Sequence, residues 1–386
     1  MAVVYEQLVP VLFGTDALQA MSTKAKELNK KRAFICCDKG VRQAGGADAV
    51  EAVLKNAGLE TYVFDECMPD PTDTFIEGVF EKAAMWKADF VIGLGGGSPM
   101  DTAKSVGVLL DNGKPLNKYM AENDSPGFEV RTPVYVIPTS AGTGSECTPM
   151  CVIHEMASDR KKTVLRSATL AVLDPTLTVT CPPSVTVNSG MDALSHAVEA
   201  YTSVAPNPKD KILAINAIRL IAENLPRCID NPADLEARTN MLFASNIAGI
   251  AFAAMSVHVG HLFAHEIGLR YHLNHGYCCG ISVPETIEFV ADYKGTEIRE
   301  IGEAIGCDVS TEVSDRKAAA QVAEAVRALM RRCGLKTMKE CGIDRDEMLT
   351  FAAAAVHNGW FHVMCPGDVS YEQMKKFFAA CYDHYQ

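Results

Sequence analysis

Histidines are concentrated in one stretch of this sequence, residues 249–280. Half of the ten histidines in the 386-residue chain lie there, five of them within eighteen residues. A lone histidine is usually structural, but such a concentration favours a metal site, because neutral imidazole is the commonest protein ligand for transition metals. Spacings of three and four place the first three on one helical face, whereas the last falls in a loop-like segment. The candidate ligands are His258, His261, His265, His272 and His275.

A second fragment, residues 190–196, could supply the other half of that site. It places Asp192 and His196 four residues apart, so on a helix the two side chains share a face and could bind one ion together. A mixed set of nitrogen and oxygen ligands suits Fe(II) or Zn(II), and the residues alone do not separate these two metals.

The composition predicts a soluble globular protein and excludes several classes of partner. The hydrophobic fraction is 48%, the charged fraction is 22% and the formal net charge is -12, which argues against nucleic acid and anionic membranes as partners. The fourteen cysteines form no C-x-x-C motif and the amino terminus lacks a basic leader, so we predict reduced thiols and a cytoplasmic location. Residues 241–265 are mostly apolar but include serine, asparagine and histidine side chains, which would lack hydrogen-bond partners in lipid. The segment is therefore predicted to form a helix inside the protein and not a membrane span.

The first half of the chain alternates apolar β-type runs with helical patterns. Continuous apolar runs of this kind are typical of parallel strands covered on both faces, so we predict a doubly wound sheet that binds ligands at the carboxyl ends of its strands. The predicted strands are 33–37, 62–64, 90–94, 134–137 and 170–173, with helices at 47–57 and 74–87.

After Pro183 the pattern becomes helical throughout. The chain is therefore predicted to form two domains: an α/β Rossmann-like domain over residues 1–183 and an all-helical domain over residues 184–386. The predicted helices of the second domain are 192–201, 210–224, 235–254, 317–332, 345–358 and 371–382.

Two glycine-rich loops follow predicted strands of the first domain. Residues 93–104 read GLGGGSPMDTAK, and there Ser98 suits a helix N-cap and Pro99 the first helical position. The N–H groups at such a helix start favour a phosphate, although a tight turn without a ligand is the alternative. Residues 138–146 form the second loop, whose small hydroxyl side chains suit a phosphate or a ribose. Asp38, after the first strand, could accept hydrogen bonds from a ribose or could simply start a turn.

Taken together, these motifs resemble the iron-dependent (group III) alcohol dehydrogenases over essentially the whole chain. The sequence is similar in particular to the lactaldehyde reductase, 1,3-propanediol dehydrogenase and butanol dehydrogenase branches. The resemblance implies a dehydroquinate synthase-like fold with a Rossmann-like NAD-binding domain followed by the helical domain. It is carried by residues 93–104, 138–148, 190–201, 260–268 and 274–276.

The resemblance also implies roles for individual residues. The metal, Fe2+ or Zn2+, would be held by Asp192, His196, His261 and His275, while His265 would assist proton movement near the substrate and His258 and His272 would be structural. NAD rather than NADP is implied by Asp38. The full set of implied cofactor contacts is Asp38, Gly96, Gly97, Ser98, Thr139, Ser140, Thr143, Thr148 and Lys162.

The implied reaction is reversible hydride transfer between NAD(H) and a small primary alcohol or aldehyde, with the metal as Lewis acid. The chain departs from many relatives near residues 357–367, a region predicted to line the substrate pocket with Met150, Cys151 and Phe252, which leaves the substrate open. The alternatives are an enzyme resembling glycerol dehydrogenase or dehydroquinate synthase, or a non-catalytic NAD-binding scaffold. A homodimer or a larger homo-oligomer is expected by analogy with relatives.

Overall fold

The computed structural model describes residues 6–121, 127–204, 207–253, 257–356 and 359–386. Within these residues the chain forms two compact units. One unit contains Glu6–Ser140 and Gly144–Cys181, and the other contains Pro182–Gln386 together with the short segment Ala141–Thr143.

The first unit is an α/β unit in which most helices follow a strand. Its strands are β1 (Val11–Phe13), β2 (Arg32–Cys36), β3 (Glu60–Phe64), β4 (Phe90–Gly95), β5 (Met120–Ala121), β6 (Val134–Pro138), β7 (Met150–Glu155), β8 (Arg160–Leu165) and β9 (Leu170–Leu173). Its helices are α1 (Ala17–Glu27), α2 (Lys39–Gln43), α3 (Gly46–Asn56), α4 (Asp73–Met85) and α5 (Gly97–Asn112).

A six-stranded parallel sheet forms the centre of this unit, with the strand order β1-β9-β6-β4-β2-β3. All five predicted strands belong to it, each within two residues of its predicted bounds. Strands β4, β6 and β9 are buried along their whole length, which explains their unbroken apolar sequences. The predicted fold class is therefore confirmed for this half of the chain.

The short edge strand β1 and a second, antiparallel sheet with the order β5-β8-β7 were not predicted from the sequence. Strand β7 alternates between buried and half-buried positions, and β8 carries three consecutive basic residues from Arg160 to Lys162. Such half-solvated strands lack the continuous apolar run by which the central strands were recognised.

The order of the strands defines the point at which a ligand would bind. From β2 the chain continues to β3 on one side, crosses back to β4 on the other side of β2, and then proceeds outward to β6 and β9. The direction of winding therefore reverses between β2 and β4. Ligands of open α/β sheets bind outside the carboxyl ends of the strands at such a reversal. The segments that follow β2 and β4 begin at Cys37 and Gly96.

The second unit is built from helices. They are α6 (Pro183–Thr202), α7 (Pro208–Asp230), α8 (Leu235–Phe252), α9 (Val259–Tyr271), α10 (His275–Phe289), α11 (Gly295–Ala304), α12 (Asp315–Cys333), α13 (Arg345–Thr350), α14 (Ala352–Val356), α15 (Gly359–His362) and α16 (Tyr371–Asp383).

Several features of the helical unit differ from the sequence prediction, which started the first helix at Asp192 instead of Pro183 and included no helix over α10 or α11. The helix predicted over 345–358 is divided at Phe351 into α13 and α14, and its last two residues lie outside the described part of the chain. Helix α7 continues through Pro226 to Asp230 instead of ending at Asn224. The apolar stretch 241–265, predicted as one internal helix, is divided between α8, which ends at Phe252, and α9, which begins at Val259. His258 is the N-cap residue of α9, so the prediction that it shares a helical face with His261 and His265 is wrong. None of the described helices has the length and apolar character needed to cross a membrane.

Candidate metal centre and cofactor loops

Three neighbouring helices carry the predicted metal ligands. Asp192 and His196 lie one turn apart on α6, and His261 lies in the first turn of α9. His275 is the first residue of α10, so its prediction as a loop residue is wrong. The side chain of Asn274 caps this helix by accepting a hydrogen bond from the backbone N–H of Tyr277 (3.2 Å), which starts the helix at His275.

The four predicted ligands converge in the helical unit. Oδ1 of Asp192 lies 3.9 Å from Nε2 of His196 and 3.9 Å from Nε2 of His275. The ring of His261 is 4.7 Å from that of His196 and 5.5 Å from that of His275, measured between centroids. Donor atoms arranged around one tetrahedral zinc ion lie about 3.4 Å apart, so small side-chain movements would bring this set onto one ion.

Two donor atoms in this cluster have unsatisfied hydrogen-bonding capacity. Among the described residues, neither Oδ1 of Asp192 nor Nε2 of His261 has a hydrogen-bond partner, although both atoms are buried. An unsatisfied buried polar atom costs about 1–3 kcal/mol. A cation bound by both atoms would remove this cost, so the residues present fit a metal ion.

The hydrogen bond of His196 fixes which of its nitrogens can bind a metal. Nδ1 of His196 lies 3.2 Å from the backbone oxygen of Gly142, which can only accept a hydrogen bond. Nδ1 must therefore carry the proton, and Nε2, which faces Asp192, keeps its lone pair. Burial lowers the pKa of His196 to about 4, so its imidazole is neutral at pH 7 and available as a ligand.

A second buried carboxylate, Glu199, lies beside His261, on the side of the ring away from Nε2, which has no partner among the described residues. Glu199 was not among the predicted site residues. Oε1 of Glu199 accepts a hydrogen bond from Nδ1 of His261 (2.6 Å) and another from the hydroxyl of Ser195 (3.0 Å). Burial acts to raise the pKa of Glu199, but the charges of His261 and His258 outweigh it and lower the pKa to about 2. The spacing 192, 195, 196, 199 forms a polar stripe on an otherwise buried helix, and this pattern could have identified Glu199.

Cys279 is a further potential donor beside the predicted ligands. The donor atoms of Asp192, His261, His275 and Cys279 all lie within 4.8 Å of one another, so this compact group contains Cys279 instead of His196. Burial raises the pKa of the Cys279 thiol well above its usual range, and the nearby carboxylates of Asp192 and Glu199 raise it further. We keep His196 in the donor set because its unprotonated Nε2 faces Oδ1 of Asp192, and Cys279 is the alternative fourth donor.

The predicted proton-transfer residue His265 lies at one side of the cluster. Its ring meets that of His275 edge to face at 5.4 Å and that of Phe361 at 5.0 Å. On another side, the ring of Phe252 stacks on His196 with 4.0 Å between centroids. Phe252 therefore adjoins the predicted ligand His196, and Phe361 adjoins His265. Of the predicted pocket segment, His357 and Asn358 lie outside the described residues.

The other two histidines of the stretch take positions away from the donor set. Nε2 of the fully buried His258 lies 3.0 Å from the hydroxyl oxygen of Thr202. The Thr202 hydroxyl itself donates to the backbone oxygen of Val198 (2.8 Å), so the His258 ring donates to Thr202. His272 ends α9 in the left-handed conformation, with φ 52°. These positions suit the structural roles that were predicted for both.

We expect the metal-free protein to lose stability as the pH falls from 6.5 to 4. Burial lowers the pKa values of His196 and His258 from 6.5 to about 4, so in this range the unfolded chain binds protons that the folded chain does not. This corresponds to roughly 3 kcal/mol per histidine at most. Urea unfolding in EDTA at several pH values measures the loss. In His258→Gln the loss of unfolding free energy should be smaller by the contribution of one histidine. A pH dependence equal to that of the unmodified protein would show that His258 makes no such contribution.

The first glycine-rich loop forms a tight connection between β4 and α5. The prediction that Ser98 caps the helix is wrong, because α5 begins at Gly97 and is capped by Gly96. Gly95 has a φ of +143°, which turns the chain immediately after the strand and starts the helix two residues early. No side chain caps this helix start, so its first N–H groups remain available for a phosphate.

The second loop begins beside the first because β6 pairs with β4 in the sheet. The backbone N–H of Thr139 donates to the oxygen of Gly95 (3.0 Å), and a Cβ added to Gly96 would lie 3.7 Å from the hydroxyl of Ser140. Four of the predicted cofactor contacts therefore lie close together: Gly96, Gly97, Thr139 and Ser140.

A buried ion pair holds the far end of the second loop against α5. Nζ of Lys104, which is fully buried, donates to the backbone oxygens of Ser145 (3.0 Å) and Met150 (2.7 Å). The carboxylate of Asp101 accepts from the Ser145 hydroxyl (2.5 Å) and from the backbone of Val152 (2.9 Å). These bonds fix the segment that carries the predicted contact Thr148.

The remaining predicted cofactor residues occupy separate positions. Asp38 caps α2, because one of its carboxylate oxygens accepts a hydrogen bond from the backbone N–H of Val41 (2.9 Å). This bond agrees with the alternative interpretation, in which Asp38 starts a turn. Lys162 lies on β8 and pairs with Glu155 (2.9 Å). Thr143 belongs to the segment grouped with the helices. The cofactor-binding roles of these three residues stay predictions.

Comparisons with known proteins agree with this architecture. Residues 9–175 match the family described as iron-containing alcohol dehydrogenase, and residues 186–382 match the C-terminal part of the Fe-containing alcohol dehydrogenase family. The NAD-dependent methanol dehydrogenase of Bacillus methanolicus is 33% identical over 89% of this chain and 91% of its own. The 1,3-propanediol dehydrogenase of Klebsiella pneumoniae is 30% identical over 92% and 93% of the two chains.

The solved structure of an alcohol dehydrogenase from Oenococcus oeni superposes with a TM-score of 0.91 at 30% identity, covering 98% of this chain and 100% of that one. The predicted fold class, enzyme class and resemblance are thereby confirmed. The predicted cofactors, NAD and iron, agree with the description of the family and with the methanol dehydrogenase. This chain belongs to the iron-containing alcohol dehydrogenase family, and it is an oxidoreductase that acts on CH–OH groups.

Proposed function

We propose that this protein interconverts a small primary alcohol and its aldehyde with NAD(H), using Fe2+ or Zn2+ held by Asp192, His196, His261 and His275. The observation that carries the proposal is the convergence of these residues, in which two buried donor atoms have no hydrogen-bond partner among the described residues. When bound, the divalent metal supplies a Lewis acid for the substrate oxygen and the nicotinamide carries the hydride.

The residues around the cluster have distinct tasks in this proposal. The ring of His265 lies next to His275, where its imidazole can accept and release the proton of the substrate hydroxyl. Phe252 stacks on the proposed ligand His196 and Phe361 packs against His265, and these apolar rings would limit the access of water and strengthen electrostatic interactions there. The hydrogen bonds of His196 and His261 keep their Nε2 atoms directed at the donor set.

The cofactor would be bound by the α/β unit. The uncapped start of α5 offers N–H groups and a positive dipole end to the pyrophosphate. Asp38 follows β2, at the reversal of the winding, and would accept hydrogen bonds from the adenosine ribose.

We expect Asp38→Ala to reduce the preference for NADH over NADPH by about 10-fold or more. The carboxylate repels a 2′-phosphate and favours the ribose hydroxyls, so its loss should lower the KM for NADPH and raise that for NADH. Steady-state kinetics with both cofactors measures the change. Asp48→Ala, on the exposed side of α3, serves as the control. An unchanged cofactor preference would show that Asp38 does not contact the ribose.

Two of the relatives support the proposal of a small substrate. The methanol and 1,3-propanediol dehydrogenases named above act on short primary alcohols, and we infer a similar substrate here. The test is NADH oxidation with a panel of C2 to C4 aldehydes, neutral and anionic. Turnover of at least one aldehyde supports the proposal, and the best substrate defines the class. A protein loaded with metal that turns over none would contradict it and favour the scaffold alternative.

Cytoplasmic location and assembly into a homodimer or larger homo-oligomer form part of this proposal, by analogy with the family. Light scattering after size-exclusion chromatography tests the assembly state, and a monomer would contradict it.

A further inference from the structure

We propose that Glu199 is a positioning residue of the metal centre: it binds Nδ1–H of His261, aims the opposite nitrogen at the metal and adds a second negative charge behind the donor set. The inference rests on the proposed metal site of the previous section. It goes beyond that site because Glu199 does not belong to the predicted ligands.

The hydrogen bonds of Glu199 make one tautomer of His261 necessary. A carboxylate only accepts hydrogen bonds, so Nδ1 of His261, 2.6 Å from Oε1, must carry the proton. In the neutral ring, which is the form that binds a metal, Nε2 then holds a lone pair, and this is the buried atom for which the described residues provide no partner. A carboxylate bound to the far nitrogen of a metal-binding histidine orients the ring and raises its basicity.

Glu199 also fixes the backbone from which His261 projects. Its second oxygen, Oε2, accepts hydrogen bonds from the backbone N–H of His258 and, at 3.5 Å, from that of His261. The carboxylate therefore joins α6 to the start of α9 through both a side chain and the main chain. Glu199 is fully buried, so water does not replace these bonds.

Gly260 provides independent evidence that the carboxylate of Glu199 lies very close to the start of α9. A Cβ added at Gly260 would lie 2.7 Å from Oε1 of Glu199 and 2.7 Å from the hydroxyl oxygen of Thr286. Real side chains do not approach so closely, so any larger residue would displace the carboxylate or the helix. The absence of a side chain at position 260 is thus what allows Glu199 to reach His261.

Glu199 also contributes to the charge balance of the proposed metal site. Asp192 supplies one negative charge among the donors and Glu199 supplies another directly behind them, and together they match the charge of a divalent ion. Replacing Glu199 with a neutral residue would leave one positive charge uncompensated in a buried site, which is unfavourable. The replacement should therefore weaken metal binding even if the four ligands keep their places.

The decisive variant is Glu199→Gln, which has nearly the same shape but lacks the charge. Its amide group would also direct N–H donors at either His261 or the His258 backbone, so one of the two bonds is lost. We expect the dissociation constant for Co2+, measured by competition with a chelator, to rise 10- to 100-fold. The visible absorption spectrum of the bound Co2+ should also change, because the geometry around His261 changes.

Asp174→Asn is the matched control, because Asp174 is a buried carboxylate that accepts a hydrogen bond from the backbone N–H of Thr176 (3.0 Å) and belongs to neither group of potential metal ligands among the described residues. It should lower the stability of the protein and leave the affinity and spectrum of Co2+ unchanged. If Glu199→Gln does not fold, Gly260→Ala tests the same contact, with the same expected loss of affinity. A folded Glu199→Gln or Gly260→Ala variant with the affinity and spectrum of the unmodified protein would overturn the inference. Failure of the unmodified protein to bind Co2+ would overturn the proposed metal site itself.

Discussion

Asp192→Ala is expected to weaken metal binding by more than about 100-fold and to reduce aldehyde reduction in proportion to the lost metal. Asp192 is the one anionic ligand of the proposed set, and its Oδ1 lies between His196 and His275, 3.9 Å from a nitrogen of each. Loss of residues that merely support a metal ligand costs 10- to 100-fold in affinity, so loss of the ligand itself should cost more. Chelator competition and NADH oxidation on the same preparations measure both quantities.

The choice of the fourth ligand is tested in the same series. His196→Ala should weaken metal binding nearly as much as Asp192→Ala, whereas Cys279→Ser should keep metal occupancy near that of the unmodified protein. The reason is that the hydrogen bond from Nδ1 of His196 to Gly142 leaves Nε2 unprotonated and directed at Asp192, whereas Cys279 lies within hydrogen-bonding distance of Nε2 of His275. The reverse result, with loss of metal only in Cys279→Ser, would assign the fourth position to the thiol.

Gly95→Ala is expected to raise the KM for NADH at least about 10-fold and to lower the free energy of unfolding by about 2–4 kcal/mol. Gly95 has a φ of +143°, which side chains rarely adopt, and an added Cβ would lie 2.9 Å from Cγ of Pro99. Backbone strain of this kind costs about 1–3 kcal/mol, and the clash adds to it. The loop would move to relieve both, which displaces the start of α5 from the cofactor.

The matched control is Gly78→Ala, in the middle of α4. An added Cβ at this position meets no atom within 4 Å, so the substitution should stabilise the helix by about 0.5–1 kcal/mol and leave the KM for NADH unchanged. Urea unfolding and NADH titration of both variants give the comparison. A Gly95→Ala protein as stable as the control would show that the turn tolerates a side chain.

The sequence predicted those parts of the fold that one local property determines. The central strands were identified because β4, β6 and β9 are buried on both faces and therefore apolar at every position. The antiparallel strands β7 and β8 were missed because tertiary pairing, and not a local apolar run, makes them strands. The start of α5 was misplaced because the left-handed turn at Gly95 outweighed the capping preference of Ser98.

The candidate metal site was predicted less completely, because part of it depends on contacts between helices that are distant in sequence. The ligand types and the helical spacing of Asp192 and His196 are visible in the sequence, and the structure brings the four predicted ligands together. The positions of Glu199 and Cys279 next to His261 and His275 depend on how α6, α9 and α10 pack. The polar spacing 192, 195, 196 and 199 on α6 could have identified Glu199 as a candidate. No spacing along the chain encodes a contact between helices, so the bond of Glu199 to His261 and the position of Cys279 beside His275 could be recognised only in three dimensions.

The most direct test of this account is the metal dependence of aldehyde reduction. Protein stripped of metal with a chelator would be assayed for NADH oxidation, then reloaded with Fe2+ or Zn2+ under anaerobic conditions and assayed again. The account predicts activity only after reloading, with one equivalent of metal bound in the unmodified protein and much less in Asp192→Ala. Equal rates with and without bound metal would contradict it.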